Sequence, residues 1–202
     1  CVTVYASPFY GNYWKKYCNS WRSNTDSIDT WENIKERFYT VDVWDKYVVP
    51  GHFYDLDMLE TGTLHTNGGK SGITEDEAVF AYTLRAFFMS PIQLSCDLSK
   101  LTDFEYNLYC NDEIIAIHQD SLAKYPQLIF ENGECKIYKR QLENGDEAWA
   151  IFNAGDTETS DTLDFGKTVK IRDIWTKEDL SERNSLNYNI GPHCVTVLRI
   201  SA

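Results

Sequence analysis

Two short stretches hold the residues best suited to chemistry. In Cys18-Asn19-Ser20-Trp21-Arg22-Ser23-Asn24-Thr25-Asp26, an apolar strand ends in an arginine and a carboxylate follows at the fourth residue beyond it. A guanidinium that holds hydroxyl groups, beside a carboxyl that donates a proton, supplies part of what cleavage of a glycosidic bond requires. The same spacing suits a solvated ion pair at a strand–helix junction, or a carboxylate capping the next helix. In the second stretch, Pro50-Gly51-His52-Phe53-Tyr54-Asp55-Leu56-Asp57-Met58-Leu59, two carboxylates stand two residues apart. On an extended segment that spacing puts both on one side. A solvated loop is the plainer reading.

The elements around these stretches alternate. Val2–Tyr5 is a β-branched and aromatic run that predicts a strand; a short helix over Asn12–Tyr17 and a second strand over Cys18–Arg22 follow. Ser27–Tyr39 predicts a helix with Ile28, Trp31, Ile34 and Phe38 on one face and Asp26 or Ser27 as its cap. Thr61–Gly72 reads as a mobile loop, rich in Gly, Thr and Asn. Thr74-Glu75-Asp76-Glu77 is a capping box ahead of a strongly apolar helix over Ala78–Met89. Ile92–Ser95 predicts a further buried strand. Thr102-Asp103-Phe104-Glu105 opens a helix to about Tyr109, and Asp112–Ala116 adds a turn. Strand, loop and helix in repetition predict βα units on a parallel sheet, which carries its sites just after the strands.

Beyond Leu122 the pattern changes. Cys135–Leu142 and Glu147–Ala154 read as strands joined by an Asn144-Gly145 hairpin turn. Thr162–Phe165, Val169–Asp173, Leu186–Ile190 and Cys194–Ile200 continue the series and predict an antiparallel β-sandwich. The division falls at residues 1–122 and 123–202.

Composition narrows the partners. A chain of 202 residues with 43% apolar and 25% charged residues is ordinary for a globular protein of one large or two small domains. Its net charge of −12 opposes binding to nucleic acid and to anionic membranes. No apolar run is long enough to predict a membrane-spanning helix, and no basic-then-apolar leader opens the chain. The cysteines at 1, 18, 96, 110, 135 and 194 lack metal-ligand spacing and are expected as mostly buried, free thiols, without zinc. Aromatic residues reach 14%, which suits stacking on sugar rings as well as an aromatic core.

With both stretches in view, the chain resembles the C-terminal portion of glycoside hydrolase family 27, the α-galactosidases of the melibiase clan. The Cys18–Asp26 stretch resembles the motif of that family's acid/base. Pro50–Leu59 resembles its Pro-Gly-Gly-Trp-Asn-Asp-Pro-Asp-Met-Leu. Ser90–Leu98 resembles its last barrel strand, and Ile115–Asp120 the run that leaves the barrel. The resemblance implies the C-terminal half of a (β/α)8 barrel, strands five to eight, followed by the β-sandwich. It implies a retaining hydrolase of terminal α-galactosyl or related pyranosyl residues that uses two carboxylates, which retention places about 5–5.5 Å apart, and no cofactor.

By the same resemblance Asp26 is the acid/base and Arg22 binds substrate hydroxyls. Asp57 and Met58 line the sugar pocket, and Phe9 and Tyr10 line it by their position after Pro8. His52 is placed near the same rim. The family's nucleophile follows its fourth strand, ahead of anything in this sequence. The chain is therefore expected to be inactive alone, and to need the N-terminal barrel half or an oligomeric partner over its open sheet edges. His52-Phe53-Tyr54 and Leu56 depart from the family's Gly, Trp, Asn and Pro, and Ala6 and Ser7 replace larger groups in its sugar-recognition stretch. These departures imply a divergent branch. The alternative is a non-catalytic carbohydrate-binding remnant of the same fold.

Overall fold

In the computed structural model, which describes residues 6–22, 24–64 and 68–202, the parallel strands are short and the connections between them carry much of the structure. The strand predicted at residues 2–5 and the side chain of His65 lie outside the described residues. The chain divides into two compact units, Cys1–Gln119 and Asp120–Ala202.

In the first unit a 3-10 turn, Pro8–Tyr10, leads into α1, Gly11–Tyr17, and then β1, Ser20–Arg22. The Ala6 N–H donates to the Arg22 carbonyl at 2.8 Å, so the segment ahead of the turn runs beside β1. β1 pairs in parallel with β2, Phe53–Asp55, in the register Ser20 with Phe53, Trp21 with Tyr54 and Arg22 with Asp55. Leu59 makes a parallel bridge to Leu94. Helix α2, Trp31–Phe38, follows β1, and α3, Glu75–Phe87, follows β2. After the Leu94 bridge come α4, Asp103–Tyr109, and α5, Asp112–His118. Strands in sequential parallel order with helices between them make a partial (β/α) barrel. Its rim is the end of the sheet at which Arg22 and Asp55 stand.

Local signals formed most of these elements as expected. Both capping boxes are present, each with the threonine hydroxyl accepting the third helical N–H and the glutamate returning to the cap N–H: Thr74 with Glu77, and Thr102 with Glu105. The predicted Ile92–Ser95 strand is reduced to an isolated bridge at Leu94. The turn predicted after Asn111 is a full helix, because the Asn111 carboxamide accepts the N–H groups of Glu113 and Ile114. The Thr61–Gly72 loop is closed by a Thr63–Lys70 bridge and by the Ser71 N–H on the Gly62 carbonyl, with Thr61 buried. Its base is therefore a tied hairpin.

The cap of α2 is not Asp26 or Ser27. The helix starts at Trp31, and Thr30 caps it by accepting the Asn33 N–H. The Asn33 carboxamide turns back to accept the Ile28 N–H at 2.9 Å, which stabilises the preceding residues as a loop. Ile28, predicted on the helix face, is consequently exposed. Replacing Thr30 by Ala is expected to cost about 0.5–2 kcal/mol. Asp26→Ala should cost under about 1 kcal/mol, as for an exposed ion pair. Urea unfolding of the two variants checks this; a larger loss at Asp26 would return the cap to that residue.

The second unit is a six-stranded antiparallel sheet in the order β3-β4-β5-β8-β6-β7. The strands are β3 Gln127–Asn132, β4 Cys135–Gln141, β5 Glu147–Asn153, β6 Thr159–Asp173, β7 Glu178–Ile190 and β8 Val195–Ser201. Only Lys170–Asp173 of β6 pair with β8. The rest of the long β6–β7 hairpin lays Leu163, Val169, Tyr188 and Ile190 onto Ile137, Trp149, Ile151 and Leu198, which gives the layered β-sandwich core. β3 was not predicted: it is an edge strand exposed along its length, without the buried alternation that marks β4 and β5.

Candidate active site

Arg22 stands at the centre of the rim. β1 ends with it, and the alternation of the strand buries Trp21 on the opposite side. Its guanidinium pairs with two carboxylates: one terminal nitrogen bonds Asp26 Oδ1, and the other lies 3.2 Å from Asp57 Oδ2. The two carboxylates differ sharply in environment. The Asp26 side chain is 87% exposed, and that of Asp57 only 10%. Asp57 also accepts the Ser27 N–H at 2.7 Å, which joins its loop to the segment just after Asp26.

The loop of Asp55 and Asp57 is not solvated, contrary to its plainest reading. Both residues are buried. Asp55 Oδ1 accepts the Asp57 N–H at 2.8 Å, and Asp57 takes a left-handed backbone conformation with φ 68°. Burial pushes the Asp55 carboxyl above the ordinary carboxylate range, opposed by that backbone hydrogen bond. Leu56, standing where the resemblance has Pro, donates its N–H to the buried Ser90 Oγ at 2.9 Å.

Two buried arginines that the sequence reading passed over complete the support. Arg85, on α3, reaches the carbonyls of Asp57 at 3.0 Å, Met58 at 2.8 Å and Leu56 at 3.3 Å. Arg37, on α2, reaches the carbonyls of Leu56 at 3.0 Å, Thr25 at 2.7 Å and Asn33 at 2.9 Å. Burial lowers both guanidinium pKa values, that of Arg85 to about 10, with the charge of Arg37 adding to the effect. Arg85 therefore stays charged at neutral pH. A single arginine within the apolar α3 run was the available signal, since a cation in such a helix must find partners.

The other predicted residues stand as follows. Met58 exposes its side chain while its carbonyl serves Arg85. Phe9 and Tyr10 sit exposed on the 3-10 turn, with their rings edge to face at 5.0 Å. His52 lies ahead of β2, and its Nδ1 is 2.8 Å from the Cys18 carbonyl ahead of β1. In a parallel pair those positions share the end of the sheet opposite Arg22 and Asp55, so His52 is not at the rim. Of the cysteines, Cys18, Cys96 and Cys135 are buried free thiols and Cys110 is exposed. Among the described residues no helix is long and apolar enough to cross a membrane.

This chain matches the family model described as "Alpha galactosidase A" over residues 4–120, more than half its length. It belongs to glycoside hydrolase family 27. Residues 132–200 match the family's "Alpha galactosidase C-terminal beta sandwich domain". An α-galactosidase of Oryza sativa subsp. japonica is 27% identical over 87% of this chain and 42% of its own length. Alpha-galactosidase 3 of Arabidopsis thaliana is 31% identical over 85% of this chain and 40% of its own. A GH27 β-L-arabinopyranosidase from Geobacillus stearothermophilus superposes with a TM-score of 0.92 at 25% identity, over 100% of this chain and 49% of that one. Alpha-galactosidase I of Mortierella vinacea shares the fold, with a TM-score of 0.85 at 21% identity, over 95% of this chain and 55% of that one. This family 27 chain thus spans about half the length of such relatives.

Proposed function

We propose that the chain is the acid/base half of a retaining glycosidase acting on terminal α-galactosyl or related pyranosyl residues. The observation that supports this most is the unequal carboxylate pair on Arg22. The exposed Asp26 can reach a glycosidic oxygen and exchange a proton with it. The buried Asp57 accepts the Ser27 N–H and shares Arg22, which keeps that guanidinium from being spent wholly on Asp26. In this reading Asp26 protonates the departing oxygen and later deprotonates the incoming water. Arg22 and Asp57 hold sugar hydroxyls, the exposed Met58 side chain gives the pocket an apolar wall, and Phe9 and Tyr10 flank it. The named relatives frame the substrate: α-galactosides and β-L-arabinopyranosides share ring stereochemistry and differ by a hydroxymethyl group.

The nucleophile is proposed to come from an N-terminal barrel half, on the same or a separate polypeptide. The test compares p-nitrophenyl α-galactoside hydrolysis by the chain alone and by the chain combined with the N-terminal half of a family 27 barrel. The combination should turn over and the chain alone should not. Turnover by the chain alone, abolished by Asp26→Asn, would show that it holds both carboxylates. Galactose binding without turnover in either sample would favour the carbohydrate-binding alternative.

A further inference from the structure

The Asp26 loop and the Asp57 loop belong to different βα connections, and buried side chains tie one to the other. Arg37 and Arg85 do so from beneath. Arg37 holds the Thr25 carbonyl, next to Asp26, and the Leu56 carbonyl, next to Asp57. Arg85 holds three successive carbonyls, those of Leu56, Asp57 and Met58, and its Nη2 lies 3.4 Å from Ser27 Oγ, on the other side of Asp26. Both guanidiniums are almost fully enclosed. Two like charges packed close together are costly in such a place. That cost is offset by the rim carbonyls the two guanidiniums satisfy, which apolar side chains would leave without these donors. A planar fork can fix several carbonyls at once, whereas an apolar side chain fixes none.

We propose that Arg37 and Arg85 are positioning residues for the acid/base. They form a carbonyl clamp that sets the separation of Asp26 from Arg22 and Asp57 and holds Asp57 in its left-handed conformation. The proposal rests on the reading of Asp26 as acid/base and adds the device that places it. Misplacing a catalytic group by about 1 Å can cost 100-fold in rate, so the clamp should be visible in kinetics as well as in local order.

Two measurements test it. In the 202-residue chain, amide hydrogen exchange reads the Ser27 N–H that donates to Asp57. Arg85→Met and Arg85→Lys should each speed its exchange at least tenfold, the Met variant more, while the Ala81 and Leu84 amides within α3 keep their protection. Unchanged Ser27 protection in a folded Arg85→Met chain would overturn the clamp. If Arg85→Met fails to fold, the Lys variant and Arg37→Met decide the same question.

In the combined enzyme, kcat/KM is compared for a methyl α-galactoside, whose leaving group needs protonation, and a 2,4-dinitrophenyl α-galactoside, whose leaving group does not. A smaller folded fraction lowers both equally. A displaced acid lowers the methyl glycoside selectively, and Arg85→Lys should widen the ratio by about tenfold or more. Asp26→Asn serves as the control. Should it leave the ratio unchanged, the acid/base reading fails. Should it widen the ratio while Arg85→Lys and Arg37→Met do not, the acid/base reading stands and the clamp falls.

Discussion

Asp26→Asn in the combined enzyme is expected to lower kcat/KM for an alkyl α-galactoside by about 10²–10⁴-fold, the usual worth of general acid catalysis. The asparagine keeps the shape of the side chain and a hydrogen bond to Arg22 but has no proton to give an alkoxide leaving group. For a dinitrophenyl glycoside kcat/KM should hardly change, because that parameter ends at the first irreversible step and the phenolate departs without help. The second step, in which Asp26 would act as base toward water, should become limiting, so kcat and KM fall together for the activated substrate. Azide, a nucleophile that needs no base, should restore its turnover. An equal loss on both substrates would assign Asp26 to binding or folding. The stability of the variant should be close to that of the parent, since the side chain is almost entirely exposed and Thr30 caps the helix.

The largest loss of stability is expected from Trp44→Ala. Trp44 is buried beneath the two parallel strands and meets Trp21 of β1 at 5.7 Å, Tyr47 at 6.1 Å and Tyr54 of β2 at 6.2 Å, the last stacked at 16°. Removing such a side chain costs about 3–5 kcal/mol, from lost burial and the cavity left behind. A domain of ordinary stability holds about 5–15 kcal/mol in all, so the variant should unfold at markedly lower urea concentration. The loss should also reach the site, because Trp21 and Tyr54 are paired in the register that places Arg22 beside Asp55. Trp44→Phe should be far milder: it keeps most of the ring and removes a buried indole N–H without a hydrogen-bond partner among the described residues. A loss below about 1 kcal/mol for Trp44→Ala would show that the barrel fragment is loosely packed there.

Much of the fold was legible from short-range rules. The capping boxes at Thr74 and Thr102 act within three residues, so the sequence around them sufficed. The strands of the sandwich declared themselves by alternation and by the Asn144-Gly145 turn. Where competing local partners existed, the sequence was ambiguous. Asp26, Ser27 and Thr30 all suit a helix cap, and the choice fell to Thr30 because Asp26 is held by Arg22 and the Ser27 N–H by Asp57. β3 escaped notice because an exposed edge strand needs no periodic apolar face.

The sequence by itself determined the alternation of βα units, the sandwich that follows, and the pairing of Arg22 with Asp26, which are close enough along the chain to meet through local geometry. The tertiary structure decided which carboxylate is exposed and which is enclosed, that His52 belongs to the opposite end of the sheet, and that Arg37 and Arg85 gather the rim carbonyls. Those outcomes rest on partners far apart in sequence: 30 residues separate Ser27 from Asp57, and 28 separate Arg85 from Asp57. Hydrogen bonds of that kind form only after the strands and helices have packed, so no local pattern encodes them.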